Sequence, residues 1–294
     1  MRTSKAIVWL SSLISVLALV AAGTGLFWQD AGSSFSFTTL RGETVQMYGR
    51  GLYRYDSLFT GAGYKGQDAT TLFLGIPLLV LLPLLYRRGS LRAGLLLTGV
   101  LAYFVYVYVS MAFNAAYNNL FLVYVVLFSA SFFAFVLAFS SIDLQTLPPA
   151  VLTRLPRRGP ALFMFAAGAV TLVVWLGPLV GSLIQGRPPD LLGTYTTMVT
   201  DALDLAIITP ATIISCALIL RRAPLGYRIA IPLLGIIVML VPVIAVGTVS
   251  QMSAGVSFST GEIIGPISGF GTLGLLAIWV MVAIFRQVPN SVPS

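Results

Sequence analysis

The residues best placed to do chemistry in this chain are four acids: Asp68, Asp201, Asp204 and Glu262. Each lies at the edge of a long apolar run, where an ionisable group is costly and therefore a functional candidate. Asp201 and Asp204 are three residues apart, so a helix puts both on one face. Carboxylates so placed could attract a cation, a proton or an amine. The same residues also answer helix capping. Asp201 can cap a helix that it begins, and Ser259-Thr260-Gly261-Glu262 has the spacing of a capping box. Both readings stay open for every acid. Asp204 stands out because Asp201 already meets the capping need.

A second polar group is the turn Asn114-Ala115-Ala116-Tyr117-Asn118-Asn119, with Tyr103 and Tyr106 on one helical face before it. Asn118 and Tyr106 are its candidates for solute contact, lining a vestibule. More often such residues are interfacial anchors.

Much chemistry is excluded. The chain has no histidine and one cysteine, Cys216, which removes Ser-His-Asp catalysis, the common zinc sites and intrachain disulfides. The two lysines, Lys5 and Lys65, lie outside the expected spans, so no retinal-type Schiff base is available. There is no glycine-rich phosphate loop of the Walker kind. No cofactor and no nucleic-acid partner are expected.

What positions these residues is a membrane bundle. Of 294 residues, 57% are hydrophobic and 9% charged, against about one quarter charged in soluble domains. Eight apolar runs are long enough to cross a bilayer as helices: roughly 6–28, 70–86, 93–113, 120–140, 161–183, 201–220, 229–249 and 263–285. The first resembles a signal peptide in its flanking charges but is longer than a signal core, and reads as an anchor. Twelve of the seventeen basic residues fall on the side of the N-terminus, with one acid, Asp143, while eight acids fall on the other. By the positive-inside rule both termini are expected in the cytoplasm, and a plasma-membrane location follows.

The expected fold class is therefore all-α, an eight-helix membrane bundle. A 4+4 internal repeat divides it into units 1–160 and 161–294. Asp68 leads to Pro77 as Asp201 leads to Pro210, and an arginine pair follows each, Arg87-Arg88 and Arg221-Arg222. Units with an even number of spans share one orientation, so the repeat would be parallel, about an axis along the membrane normal. The outer loop 29–69 opens with a hairpin-like stretch, Ser34 to Tyr48, turning at Arg41-Gly42-Glu43. Its tyrosines 48, 53 and 55 and Phe59 fit either an interfacial belt or a lid.

Two functions remain in play. The leading one is a small-solute or ion transporter, or a transporter-like binding protein, with its site between spans 2 and 6 and flanked by span 8. The other is a non-catalytic accessory or assembly subunit, whose partners are protein subunits as well as membrane lipids. An intramembrane enzyme ranks third, since acid–base work would fall on outer carboxylates alone.

Overall fold

The computed structural model describes residues 5–142, 144 and 147–290, apart from the side chains of Glu262 and Ile263. Eight long helices carry the apolar runs: α1 Lys5–Phe27, α2 Leu58–Arg87, α3 Leu91–Phe113, α4 Phe121–Ser141, α5 Arg158–Gln185, α6 Val199–Leu220, α7 Pro224–Ser253 and α8 Thr260–Gln287. The chain is an integral membrane protein of the all-α, multi-pass kind. Lipid cannot pair backbone N–H and C=O groups, and helices satisfy them internally. A six-residue helix, Pro149–Arg154, precedes α5.

Helix α2 corrects the sequence reading. It begins at Leu58, twelve residues before the apolar run, so the long outer connection ends at Ser57. The Ser57 hydroxyl caps the helix by accepting from the Thr60 N–H at 3.2 Å. The added turns hold Gly61, Gly63, Lys65, Gly66, Gln67 and Asp68, too polar for lipid. They are sheltered by α7. A Cβ on Gly66 would lie 2.3 Å from the Gly247 nitrogen, so the two backbones touch. Hydropathy has no signal for helices that pack backbone to backbone.

Helices α2 and α6 each contain one π-helical segment, Thr71–Gly75 and Asp204–Ile208. The closing bonds run from the Ile76 N–H to the Thr71 carbonyl and from the Thr209 N–H to the Asp204 carbonyl. Pro77 and Pro210 follow directly. A proline ring crowds the carbonyl four residues before it, here that of Phe73 or Ala206. The wider turn moves that carbonyl aside and lets each helix continue.

Within 5–141 each helix packs on its sequence neighbour, and α1 also closes onto α4. Within 158–287 the contacts are α5 with α6, α6 with α7, α7 with α8, and a sparser closure of α8 onto α5. The two groups meet where α3 crosses α7, at Gly99 and Gly235. A Cβ on Gly235 would lie 2.5 Å from the Gly99 Cα. Beyond that crossing the groups differ. Helix α2 lies along α7, whereas α3 meets the start of α6 only sparsely.

The end of the bundle away from the arginine pairs is covered by the 28–57 connection. Its hairpin pairs β1 Phe35–Thr38 with β2 Thr44–Met47, in register Thr38 to Thr44, around Gly42 at φ 82°. At the opposite end Arg92 donates to the Val288 carbonyl at 2.8 Å, tying the last turn of the chain to the start of α3.

Candidate functional site

The sparse meeting of α3 and α6 leaves a cavity of about 700 Å³ under the hairpin, between α2, α5, α6 and α7. Asp201 is in its wall. Helix α6 starts at Val199 with Met198 in the capping position, so Asp201 stands in the first turn rather than at the cap. Its residue is only 6% exposed, and its carboxylate takes a bond from its own backbone N–H and none from another described residue. A smaller cavity of about 350 Å³ on the α5 side shares Asp201 and Trp175 with the larger one.

One turn on, Asp204 opens the π segment of α6 and faces into the bundle. Its Oδ1 accepts from the Tyr106 hydroxyl at 3.1 Å, and its Oδ2 accepts from Trp175 Nε1 at 2.8 Å. The partners thus come from α3 and α5. Span 2, expected across the site, supplies neither of them. Thr71, the residue that opens the π segment of α2, bonds the Tyr103 hydroxyl at 2.9 Å. Helix α3 therefore offers two tyrosines, one turn apart, to the first residue of each π segment. Such segments recur at functional positions in other helices.

The remaining candidates separate. Asp68 is in the middle of a helix, not ahead of one. It is buried against α1, where it accepts from the Tyr53 hydroxyl at 2.6 Å. A Cβ on Gly25 would come within 2.1 Å of its Oδ2, so α1 can pass only because that residue is glycine. Asp68 does not line the large cavity. Asn118 shapes the α3–α4 turn, accepting from the Leu120 N–H at 3.0 Å and donating to the Ala116 carbonyl at 3.3 Å. The Glu262 side chain lies outside the described residues.

The outer connections form a tied roof. Arg41 at the hairpin tip donates to the carbonyls of Gly193 at 2.7 Å and Tyr195 at 3.2 Å, in the α5–α6 connection. Tyr195 donates its hydroxyl to Asp56 Oδ1 at 3.0 Å, and the Ala116 N–H reaches the same oxygen at 2.8 Å. Asp56 so joins three connections. It is 0% exposed, its Oδ2 has no partner, and burial pushes its pKa up to about 7. Tyr48 and Tyr53 are buried beneath this roof, while Tyr55 and Phe59 are exposed. The belt reading therefore does not hold for the first two: Gly49 at φ 75° and Gly51 at φ 57° turn the chain back onto α1.

Sequence reasoning missed Trp175, Tyr195, Asp56 and Arg41. A signal existed for Trp175, since an indole N–H inside an apolar run needs an acceptor and Asp204 is an unpaired one nearby. The roof contacts join residues 60 to 154 positions apart and leave no local trace. Among the described residues no three acids or thiols gather as a metal-binding group. Comparison with protein-family models, curated proteins and solved structures found no match.

Proposed function

We propose that this protein is a small-solute or ion transporter, or a transporter-like binding protein, of the plasma membrane. In this reading the hairpin end faces outward and both termini face the cytoplasm, as the arginine clusters favour. The observation that carries the reading is the cavity of about 700 Å³, with Asp201 in its wall, buried and without a charged partner among the described residues. Its volume is within the range of small-molecule sites, about 300–1,000 Å³.

A 4+4 duplication supports the same reading. Asp68, Thr71 and Pro77 correspond to Asp201, Asp204 and Pro210 at one constant separation, and both π segments keep that separation. Interrupted helices at matching positions of two halves point to a central site. The pairing of helices within each half and the crossing at Gly99 and Gly235 agree with an axis along the membrane normal.

The test is side-specific labelling in Cys216→Ser protein. Thr200→Cys and Gln67→Cys, both in the cavity wall, are expected to react with an impermeant thiol reagent outside sealed cells. Arg88→Cys and Arg222→Cys are expected to react only after permeabilisation. The reverse pattern would invert the topology, and unreactive cavity positions would remove the site.

The accessory-subunit reading draws on one feature. Gly261, Gly265 and Gly269 recur every fourth residue on α8, with nothing within 4 Å of where a Cβ would stand. Small residues at that spacing let another helix approach closely. Co-purification of a stoichiometric partner that is lost on Gly265→Leu would favour it.

A further inference from the structure

The reading of the cavity as a solute site can be deepened by asking which solute its wall accepts. The charged residues lining it are Asp190 and Asp201, with no lysine or arginine among the lining. Asp190 is already ion-paired with Arg187. That leaves Asp201 as the uncompensated charge, only 6% exposed and bonded by no other side chain among the described residues. A buried carboxylate without a partner is unstable unless something supplies positive charge or protons.

The neutral groups point the same way. Asn114 spends its amide nitrogen on the Tyr64 hydroxyl at 2.9 Å, and Gln251 spends its own on the Phe59 carbonyl at 2.9 Å. Each amide keeps an oxygen acceptor and a second N–H, so the wall can still take donors from a solute. Trp175 has committed its N–H to Asp204. What it presents to the cavity is the ring, whose face attracts cations. A bare metal ion would need several oxygen ligands at close range. Among the described residues no three acids or thiols gather for one, and the space is far larger than one ion requires.

We infer that the cavity takes an organic ammonium ion carrying N–H donors, a protonated primary or secondary amine, with its charge on Asp201 and its body against Trp175. Resting on the solute-site reading, this adds the chemical class. The N–H donors are part of the inference, since Asp201 has no donor from another described residue and a quaternary ammonium would bring none.

The test uses full-length protein in detergent, with Thr200→Cys in a Cys216→Ser background and a thiol reagent as reporter. The probes are phenethylammonium, its N,N,N-trimethyl derivative, the neutral isostere 2-phenylethanol, and sodium. Phenethylammonium is expected to slow labelling saturably. The trimethyl derivative is expected to bind about tenfold more weakly or less, in line with the loss of a charged hydrogen bond. Sodium and the alcohol should give no protection. Asp201→Asn should abolish protection while Thr200→Cys keeps its unprotected rate, which shows that the cavity still forms. Asp201→Glu, which retains the charge, should bind within a few-fold of the parent. Protection by the alcohol equal to that of the amine, protection surviving in Asp201→Asn, or no protection by any probe despite normal labelling would each overturn the amine assignment and leave the cavity standing. Failure of Thr200→Cys to label at all would instead sink the solute-site reading, and the amine assignment with it.

Discussion

Asp204 shows how far residue types alone could be read. Its oddity is visible in the sequence, because a carboxylate one turn beyond Asp201 has no capping duty left. Its partners were not visible, because Tyr106 and Trp175 reach it from helices that only the packing brings near. Asn in its place keeps one acceptor oxygen and sets an N–H2 group against a second donor. Asp204→Asn is therefore expected to lower stability by about 1–3 kcal/mol, the scale of a hydrogen bond to a charged group. Thermal unfolding in detergent reads the loss. A neutral effect would mean that the indole and the phenol do not depend on the carboxylate. Asp56 makes a different prediction. Its pKa is raised from 3.8 to about 7 by burial, so between those values the folded protein holds a proton that the unfolded chain has released. Stability from this group is then highest below about pH 4 and falls as pH rises towards 7, levelling above it. Unfolding temperatures measured from pH 5 to 8 should fall with pH, and Asp56→Asn should flatten that slope. A slope unchanged in the variant would place its origin elsewhere.

At the scale of elements, the hairpin and the apolar stretches of all eight spans were legible, since alternation, turn glycine and run length are local signals. The start of α2 was not. Leu58–Thr70 reads as a loop because its glycines and polar residues lower its hydropathy. It is a helix because those glycines let α7 touch its backbone. Gly66→Ala is expected to destabilise the bundle by about 1–3 kcal/mol, as overpacking does. A Cβ at Gly247 meets nothing closer than 3.3 Å, so Gly247→Ala should be the milder change. Equal melting temperatures for the two variants would argue against the close α2–α7 contact. The π segments belong with the half-legible features. Pro77 and Pro210 announce a disturbance at matching places, but not that a widened turn absorbs it.

For the whole molecule, the charge pattern forecast which ends of the helices lie together, and the eight spans agree with it. What it could not forecast is the unequal join between the two groups of helices. Close packing of α2 on α7 has no equal between α3 and α6, and the cavity fills the difference. Transport requires the join to open at the other end in turn, under a closed roof. Leu95, on α3 between Gly99 and the arginine-rich end, is 1% exposed and lies in the core shared with Ile231 of α7. The most direct measurement is labelling of Leu95→Cys, in Cys216→Ser protein, by an impermeant thiol reagent applied to inside-out vesicles. The account predicts slow but complete reaction from the arginine-rich side. Complete protection from both sides, with Thr200→Cys reactive from outside, would contradict transport and leave a static binding protein.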